Sequence, residues 1–279
     1  NFYKDDRLYN AEHNIGIGID PNTDSQDGER FYSASYLRLR EDVQLGLIAK
    51  CLDKGASSDV ADNDIIAATF PNSGAKTHIR AGGQQRTCTV MRSAGQQLPL
   101  PLGATIIGTR VRWVLLTPAI FPAIAANEGK GVASHPGGWL PSWIDSTTLK
   151  AKLKDPKESA RRLNEGRTAW RRRVADLSPI AAQLVAASIP RGQTVTGWAL
   201  ANEHDEEHGG GRASHIAVPA GSVYYFEANN EDQAKALAES LNWHGKQTQS
   251  TDIINRRSTL MGEKGFGLGV CGNWNPYQL

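Results

Sequence analysis

The glycine-rich stretch at residues 256–274 restricts the fold more than any other part of the sequence. Five glycines fall within eleven residues there, together with three cationic side chains, Arg256, Arg257 and Lys264, and with Phe266 between two of the glycines. Glycine lacks a Cβ, so such a segment takes left-handed turns and approaches a ligand or another backbone closely. Exposed amides beside Arg and Lys suit phosphate, and an aromatic ring in such a loop can stack on a base. The stretch predicts an anion-binding loop; the alternative is a structural turn that joins the last strand to its neighbour.

Two nucleotide-binding motifs are excluded by the context of this stretch. Gly267, Gly269 and Gly272 match G-x-G-x-x-G, but that fingerprint must open a helix within a βαβ unit, and Pro276 follows almost at once. A Walker loop is excluded because the sequence contains no Gly-Lys-Ser or Gly-Lys-Thr. Neither a Rossmann site nor a P-loop is therefore expected.

Composition points to a globular, loop-rich protein, and we expect it to bind no cofactor. The chain has 279 residues, 39% of them hydrophobic, which suffices for two domains. No apolar run approaches the roughly 20 residues of a membrane helix, so we expect no membrane contact. Cys51, Cys88 and Cys271 are odd in number and widely spaced, which disfavours a disulfide framework and favours a reducing cytoplasm.

Positive charge is concentrated in one segment, although the formal net charge is only +2. Residues 150–173 hold ten Lys or Arg against three Asp or Glu. The spacing of apolar residues predicts a helix that begins at residue 147 and is interrupted at Pro156. A second helical segment is predicted over residues 157–187, with a break at 178–179. The arginines of this predicted helical segment indicate either an RNA-facing surface or, more commonly, a solvated face. The residues expected on its apolar face are Leu163, Trp170, Val174 and Leu177, and the arginines are Arg161, Arg162, Arg167 and Arg171 to Arg173.

Alternating apolar and polar residues predict strands along the rest of the chain. A loop is expected at residues 20–28, a strand or short helix at 43–52, a linker at Pro99 to Pro101, and a helix at 231–242. The predicted strands cover residues 15–19, 31–39, 87–92, 105–116, 193–200 and 216–228.

Two histidine patterns are candidates for catalysis. His78 lies near Arg80 and could act as a general acid or base on RNA, although no second catalytic partner is visible. Arg80 and Arg86 flank a Gly-Gly turn, which indicates either a phosphate clamp or an ordinary turn with solvated arginines. His204 and His208 match H-x-x-E-H, but three glycines follow directly, so we expect a solvated loop and no metal site.

Five landmarks occur in the order found in the third subunit of the type III-B CRISPR (Cmr) effector complex, a RAMP-superfamily protein, which this chain resembles. In the segment Gly82 to Arg86, Gln84 stands where that family usually has glutamate. In the glycine-rich loop, Gly272 follows Gly267 after four residues instead of about five. The family's N-terminal portion has no counterpart, so we expect it to be absent or carried elsewhere. The landmarks are Gly18 to Pro21 with Gly28 to Ser33, Gly82 to Arg86, Thr117 to Ala119, Gly197-Trp198 with Ala217 to Phe226, and Gly265 to Gly267 with Gly272.

The resemblance implies an α+β fold of ferredoxin-like (RRM-like) RAMP units with antiparallel sheets. Residues 1–101 would form the remainder of a first RAMP domain, and residues 102–279 a second domain that ends in the glycine-rich loop. It also implies a non-catalytic scaffold that binds the 5′ repeat-derived tag of CRISPR RNA in antiviral defence. Its protein partners would be the large palm-domain subunit and the first backbone RAMP subunit.

The same resemblance, read with the residues above, assigns the RNA contacts. Phe266 would stack on a base, while phosphate would meet amides and cationic side chains. An alternative from the same superfamily is an endoribonuclease that processes CRISPR RNA with His78, and a zinc metallopeptidase is a remote third. The expected phosphate contacts are the amides of Gly265, Gly267 and Gly269, the side chains of Lys264, Arg256 and Arg257, and, on an extension of the surface, Arg80 and Arg86.

Overall fold

The computed structural model describes residues 8–20, 22–23, 25–46, 69–70, 74–80, 87–92, 100–199, 210–246 and 253–276. The chain divides into two compact units, Asn1–Gln96 and Gln97–Leu279. Every strand pair in the described residues is antiparallel, and helices are few. The expected α+β class is confirmed.

The first unit contains two antiparallel hairpins. In the longer one, β1 (Tyr9–Asp20) pairs with β2 (Ser25–Leu39), with a register shift between Ile17 and Ile19. In the shorter one, β3 (Lys76–Arg80) pairs with β4 (Thr87–Met91). The prediction of a loop over residues 20–28 is wrong for its second half, because β2 already begins at Ser25. Most described side chains of these two hairpins are exposed, so polar residues fit their strands as well as apolar ones.

A four-stranded sheet forms the centre of the second unit. Its strands are β5 (Arg110–Leu115), β6 (Ala182–Ser188), β11 (Val223–Ala228) and β12 (Gly269–Asn273), in the spatial order β12-β5-β11-β6. Two small ribbons lie between β6 and β11 in sequence. They consist of β7 (Gln193–Val195) with β10 (His215–Ala217), and of β8 (Trp198–Ala199) with β9 (Gly210–Gly211).

Alternation along the strands places the core on one face of this sheet. Val111, Trp113 and Leu115 on β5 are buried, as are Tyr224 and Phe226 on β11. The Trp113 ring centroid lies 5.5 Å from that of Tyr224. The buried residues between β5 and β6 include Phe121, Leu140 and Ile144, and they belong to the same core.

Three helices are described, and only the last contributes to the core. They are α1 (Pro156–Ser159), α2 (Arg167–Asp176) and α3 (Glu231–Leu241). Helix α3 begins where the Asn230 side chain accepts a hydrogen bond from the Gln233 amide at 2.9 Å, and it buries Ala234, Leu237 and Leu241 among others. The strand predicted at 87–92 and the helix at 231–242 are confirmed, with small shifts of their ends. The strand predicted at 105–116 begins only at Arg110, and the single strand predicted at 216–228 is two strands, β10 and β11, which belong to different sheets. None of the described helices is long and apolar enough to cross a membrane.

The helix predicted over residues 157–187 is present only in part, as α1 and α2, and is wrong in its second half. The helix predicted from residue 147 to Pro156 is also wrong, because residues 147–155 form turns and isolated bridges. Residues 182–188 are strand β6, which pairs with β11. The segment is rich in alanine, which favours helix, but Ala182 and Leu184 are buried in alternation with exposed Gln183 and Val185. Pairing and burial in the sheet therefore outweigh intrinsic helix propensity. Leu163, expected on the apolar face, is 93% exposed and lies outside α2.

The outer edge of β12 is occupied by groups of the same unit. The amide of Cys271 donates to Asn242 Oδ1 at 2.6 Å, and the carbonyl of Cys271 accepts from the amide of Ala104 at 2.8 Å. The carbonyl of Gly269 accepts from the amide of Trp243 at 2.8 Å. These bonds satisfy backbone groups of β12 that do not pair with β5.

Candidate nucleic-acid interface

The glycine-rich stretch forms a tight loop that leads directly into β12. Met261 has a φ of 58°, a 3-10 turn covers Gly262–Lys264, and Gly265 and Gly267 have φ values of 84° and 77°. Glycine adopts such angles at little cost, whereas Met261 has to be held there by its surroundings. The expectation of left-handed turns in this stretch is thus confirmed.

The amides of this loop are hydrogen-bonded within the protein. Gly265 donates to the Gly262 carbonyl at 3.0 Å, and Gly267 donates to the Pro118 carbonyl at 2.8 Å. Phe266 donates to the Met261 carbonyl at 3.3 Å, and Leu268 donates to Thr117 Oγ1 at 2.9 Å. A phosphate could take the Gly265 or Gly267 amide only by breaking one of these bonds.

Two glycines of the stretch are required by close packing. A Cβ on Gly267 would lie 2.0 Å from the backbone nitrogen of Ser258, and one on Gly269 would lie 2.2 Å from Nε1 of Trp113. By contrast, a Cβ on Gly265 would meet nothing within 4 Å. Gly267 and Gly269 therefore anchor the loop to the core, and Gly265 serves only the turn.

Arg257 is directed into the protein, away from solvent. Its Nε donates to the Ser240 carbonyl at 2.8 Å, and its Nη2 contacts the same carbonyl. Nη2 also donates to Asn255 Oδ1 at 3.3 Å. Burial lowers the pKa of Arg257 to about 10, so the guanidinium is still charged at neutral pH. Arg257 holds the loop against α3, and its guanidinium is not available to phosphate in this conformation.

Arg256, Lys264 and Phe266 provide the accessible chemistry of the loop. The two cations are exposed and Phe266 is half-buried. A Cβ on Gly262 would lie 3.5 Å from Cβ of Arg256, so Arg256 runs beside the turn that ends in Lys264. The loop thus carries two exposed cations and a half-buried aromatic ring, residue types that nucleotide-binding loops use.

The remaining predicted residues lie on other secondary-structure elements or outside the described residues. Arg80 ends β3 in the first unit and is exposed, and His78 is exposed on the same strand. Arg86, His204 and His208 lie outside the described residues. On α2, Arg167, Arg171 and Arg172 are exposed.

The predicted site residues omit an aromatic pair on the outer face of the sheet. Tyr225 on β11 and Trp274 after β12 lie with ring centroids 5.4 Å apart. Strand alternation carries a signal for this position, because Tyr225 stands between Tyr224 and Phe226, which both face the core. Nothing in the sequence indicates that Trp274 reaches across to it.

Comparison with known proteins supplies a family. A family model described as "CRISPR-associated protein (Cas_Cmr3)" matches residues 2–274, which is nearly the whole chain. None of the curated proteins matches the chain.

Proposed function

The chain belongs to the CRISPR-associated Cas_Cmr3 family and is a subunit of a Cmr complex, and on this premise we propose that it is a non-catalytic RNA-binding scaffold. It binds the 5′ repeat-derived tag of the CRISPR RNA in the cytoplasm, as part of antiviral defence. It bridges this RNA to the large palm-domain subunit and to the backbone RAMP subunit. The observation that carries the proposal is the family match over residues 2–274.

The topology of the second unit supports a ferredoxin-like RAMP domain. Numbered in chain order, its strands β5, β6, β11 and β12 become 1 to 4, and the spatial order β12-β5-β11-β6 becomes 4-1-3-2. This is the arrangement of the split βαβ fold, with α3 as the connection between the third and fourth strands. The connection between the first two strands departs from the ideal, because α2 buries no residue.

We place the tag contact on the loop's side chains. Lys264 and Arg256 would meet phosphate as exposed point charges, and Phe266 would offer a ring face to a base. Gly265, Gly267, Gly269 and Arg257 would act indirectly, since they set the loop's conformation. Arg80 and Arg86 are further candidates for phosphate contact.

The test is the affinity of the full chain for tag RNA, measured against salt. Phe266→Ala should weaken binding by about 1–3 kcal/mol, the usual contribution of one stacked base. Lys264→Ala should weaken binding of all sequences alike and reduce the salt slope by about one unit or less. Circular dichroism of each variant confirms the fold.

Two matched controls accompany these variants. Lys150→Ala removes an exposed lysine beside β6, at the opposite edge of the sheet, and Leu163→Ala removes a side chain that is 93% exposed. Both should bind as the parent does. If folded Phe266→Ala and Lys264→Ala chains also bind like the parent, the loop is a structural turn and the assignment of the tag site to it is wrong.

A further inference from the structure

An open groove of about 490 Å³ lies on the outer face of the second unit's sheet, the face opposite to the core. Arg112, Tyr225, Trp274 and Asn275 are among the residues that line it. We propose that this groove binds an unstacked base of single-stranded RNA and its phosphate, as a second RNA contact separate from the glycine-rich loop. The proposal rests on the proposed function only for the class of ligand.

Strand alternation builds the floor of the groove. Arg112 points outward because its neighbours Val111 and Trp113 are buried, and Tyr225 points outward because Tyr224 and Phe226 are buried. Arg112 and Tyr225 are direct cross-strand partners, so their Cβ atoms lie about 5 Å apart. On the other side Arg112 pairs with Gly272, where a Cβ would lie 3.4 Å from Arg112 Nε. Arg112 therefore lies between an aromatic ring and a position without a side chain.

Trp274 forms the wall of the groove and is fixed by three contacts. Its Nε1 donates to the Phe226 carbonyl at 3.2 Å, and its ring meets that of Tyr225 at an interplanar angle of 77°. Arg110 lies with its guanidinium carbon 5.5 Å from the Trp274 ring centroid and pairs with Glu227 at 2.9 Å. The two half-buried rings thus make a preformed right-angled corner, which costs little ordering on binding.

The charge of the groove favours a nucleotide over an apolar ligand. Arg112 is the one charged residue in its lining, and among the described residues it makes no ion pair or side-chain hydrogen bond. A guanidinium beside an aromatic pair offers a donor fork for phosphate and ring faces for a base. An apolar protein surface would instead bury this cation without a partner, which is unfavourable.

The experiment measures binding of the full chain to a fluorescein-labelled oligouridine that lacks the tag sequence. Tyr225→Leu keeps an apolar side chain but removes the ring, and should weaken binding roughly 5- to 150-fold, the range for one stacked base. Tyr225→Phe keeps the ring and should remain within about twofold of the parent, since stacking needs no hydroxyl. Arg112→Gln should reduce the salt slope by about one, which loss of packing alone would not do. Val185→Ala, exposed on neighbouring β6, is the control and should bind as the parent does.

The loop variants are measured in parallel so that the two sites are judged separately. Weaker binding in folded Tyr225→Leu and Arg112→Gln chains, with the Tyr225→Phe chain unaffected, supports the groove whether or not Phe266→Ala has an effect. Parent-like binding of both folded groove variants overturns the groove proposal, and leaves the proposed function in place if Phe266→Ala still weakens tag binding. Loss of a protein partner by Tyr225→Leu with unchanged RNA affinity also overturns it.

Discussion

Gly265 and Gly267 stand two residues apart and both have positive φ, yet substitution should affect them very differently. Gly265→Ala adds only left-handed strain, about 1–2 kcal/mol, because its Cβ would meet open space. Gly267→Ala adds the same strain and also forces a Cβ to 2.0 Å from the Ser258 nitrogen, so we expect a loss of about 3 kcal/mol or more.

Chemical denaturation of the two variants and the parent measures this difference in the free energy of unfolding. Gly265→Ala is the matched control, since it shares the loop, the sign of φ and the added methyl group. Equal destabilisation by the two substitutions would contradict the close packing of Gly267 against the 257–258 backbone.

The same residues show what can be read from sequence at this scale. Glycine between hydrophobic and cationic residues indicated a strained turn, and the turn is present at Gly265 and Gly267. The burial of Arg257 had no such signal, because Arg257 directly follows Arg256 and the sequence does not distinguish a buried arginine from an exposed one. Its burial follows from the Ser240 and Asn255 oxygens, which only the folded chain brings to it.

Among the elements, α2 is held to its surroundings by polar bonds. Arg173 pairs with the Glu165 carboxylate through Nε at 2.8 Å and Nη2 at 2.9 Å, and its Nη2 donates to the Ala160 carbonyl at 2.8 Å. Trp170 Nε1 donates to the Ser159 carbonyl at 2.8 Å. Arg173 is thus engaged within the protein, and the RNA-facing interpretation of this helix is left to the exposed Arg167, Arg171 and Arg172.

The Glu165–Arg173 pair should make stability depend on pH in acid. The Arg173 hydrogen bonds, followed by the Arg162 amide, lower the pKa of Glu165 from 4.5 to about 2. A carboxylate whose pKa is lower in the folded state stabilises the fold above its unfolded pKa. This contribution is therefore complete above about pH 4.5 and is lost as the pH falls towards 2.

Glu165→Gln removes this titration, so thermal unfolding temperatures of parent and variant should converge as the pH is lowered from 6 to 2.5. Glu128→Gln serves as the control, because Glu128 is exposed and has no ion pair within the described part of the chain. Parent and Glu165→Gln curves that stay parallel over this range would show that the pair does not stabilise the native state.

The type of an element was predictable where burial and propensity agree, although β5 begins at Arg110 and not at the predicted residue 105. In β5 and α3 the pattern of apolar residues, the local propensities and the Asn230 cap all favour one structure. In β6 they disagree, since Ala182 to Ser188 has helix-favouring composition and becomes a strand only through its pairing with β11. Contacts between segments distant in sequence are what single-sequence patterns do not contain.

For the whole molecule, the scaffold proposal predicts that repeat-containing CRISPR RNA is bound and not cut. General acid–base catalysis on RNA requires a partner close to the reacting group. Among the described residues, the His78 side chain makes no hydrogen bond. The His78 backbone lies in the β3–β4 pair, opposite Thr89. Assembled complex should therefore leave end-labelled repeat RNA intact, and His78→Ala should change nothing in a cleavage time course read on a gel. Cleavage at the repeat junction that His78→Ala abolishes would establish the ribonuclease alternative.

The closed outer edge of β12 limits how this subunit can join its neighbours. β-Augmentation requires a strand whose backbone donors and acceptors are free along one side. Asn242, Ala104 and Trp243 already occupy those positions on β12. A sheet that continued from one subunit into the next would have to displace all three, so we expect any subunit contact at this edge to be made by side chains and loops. The same hydrogen bonds protect the isolated subunit against edge-to-edge aggregation.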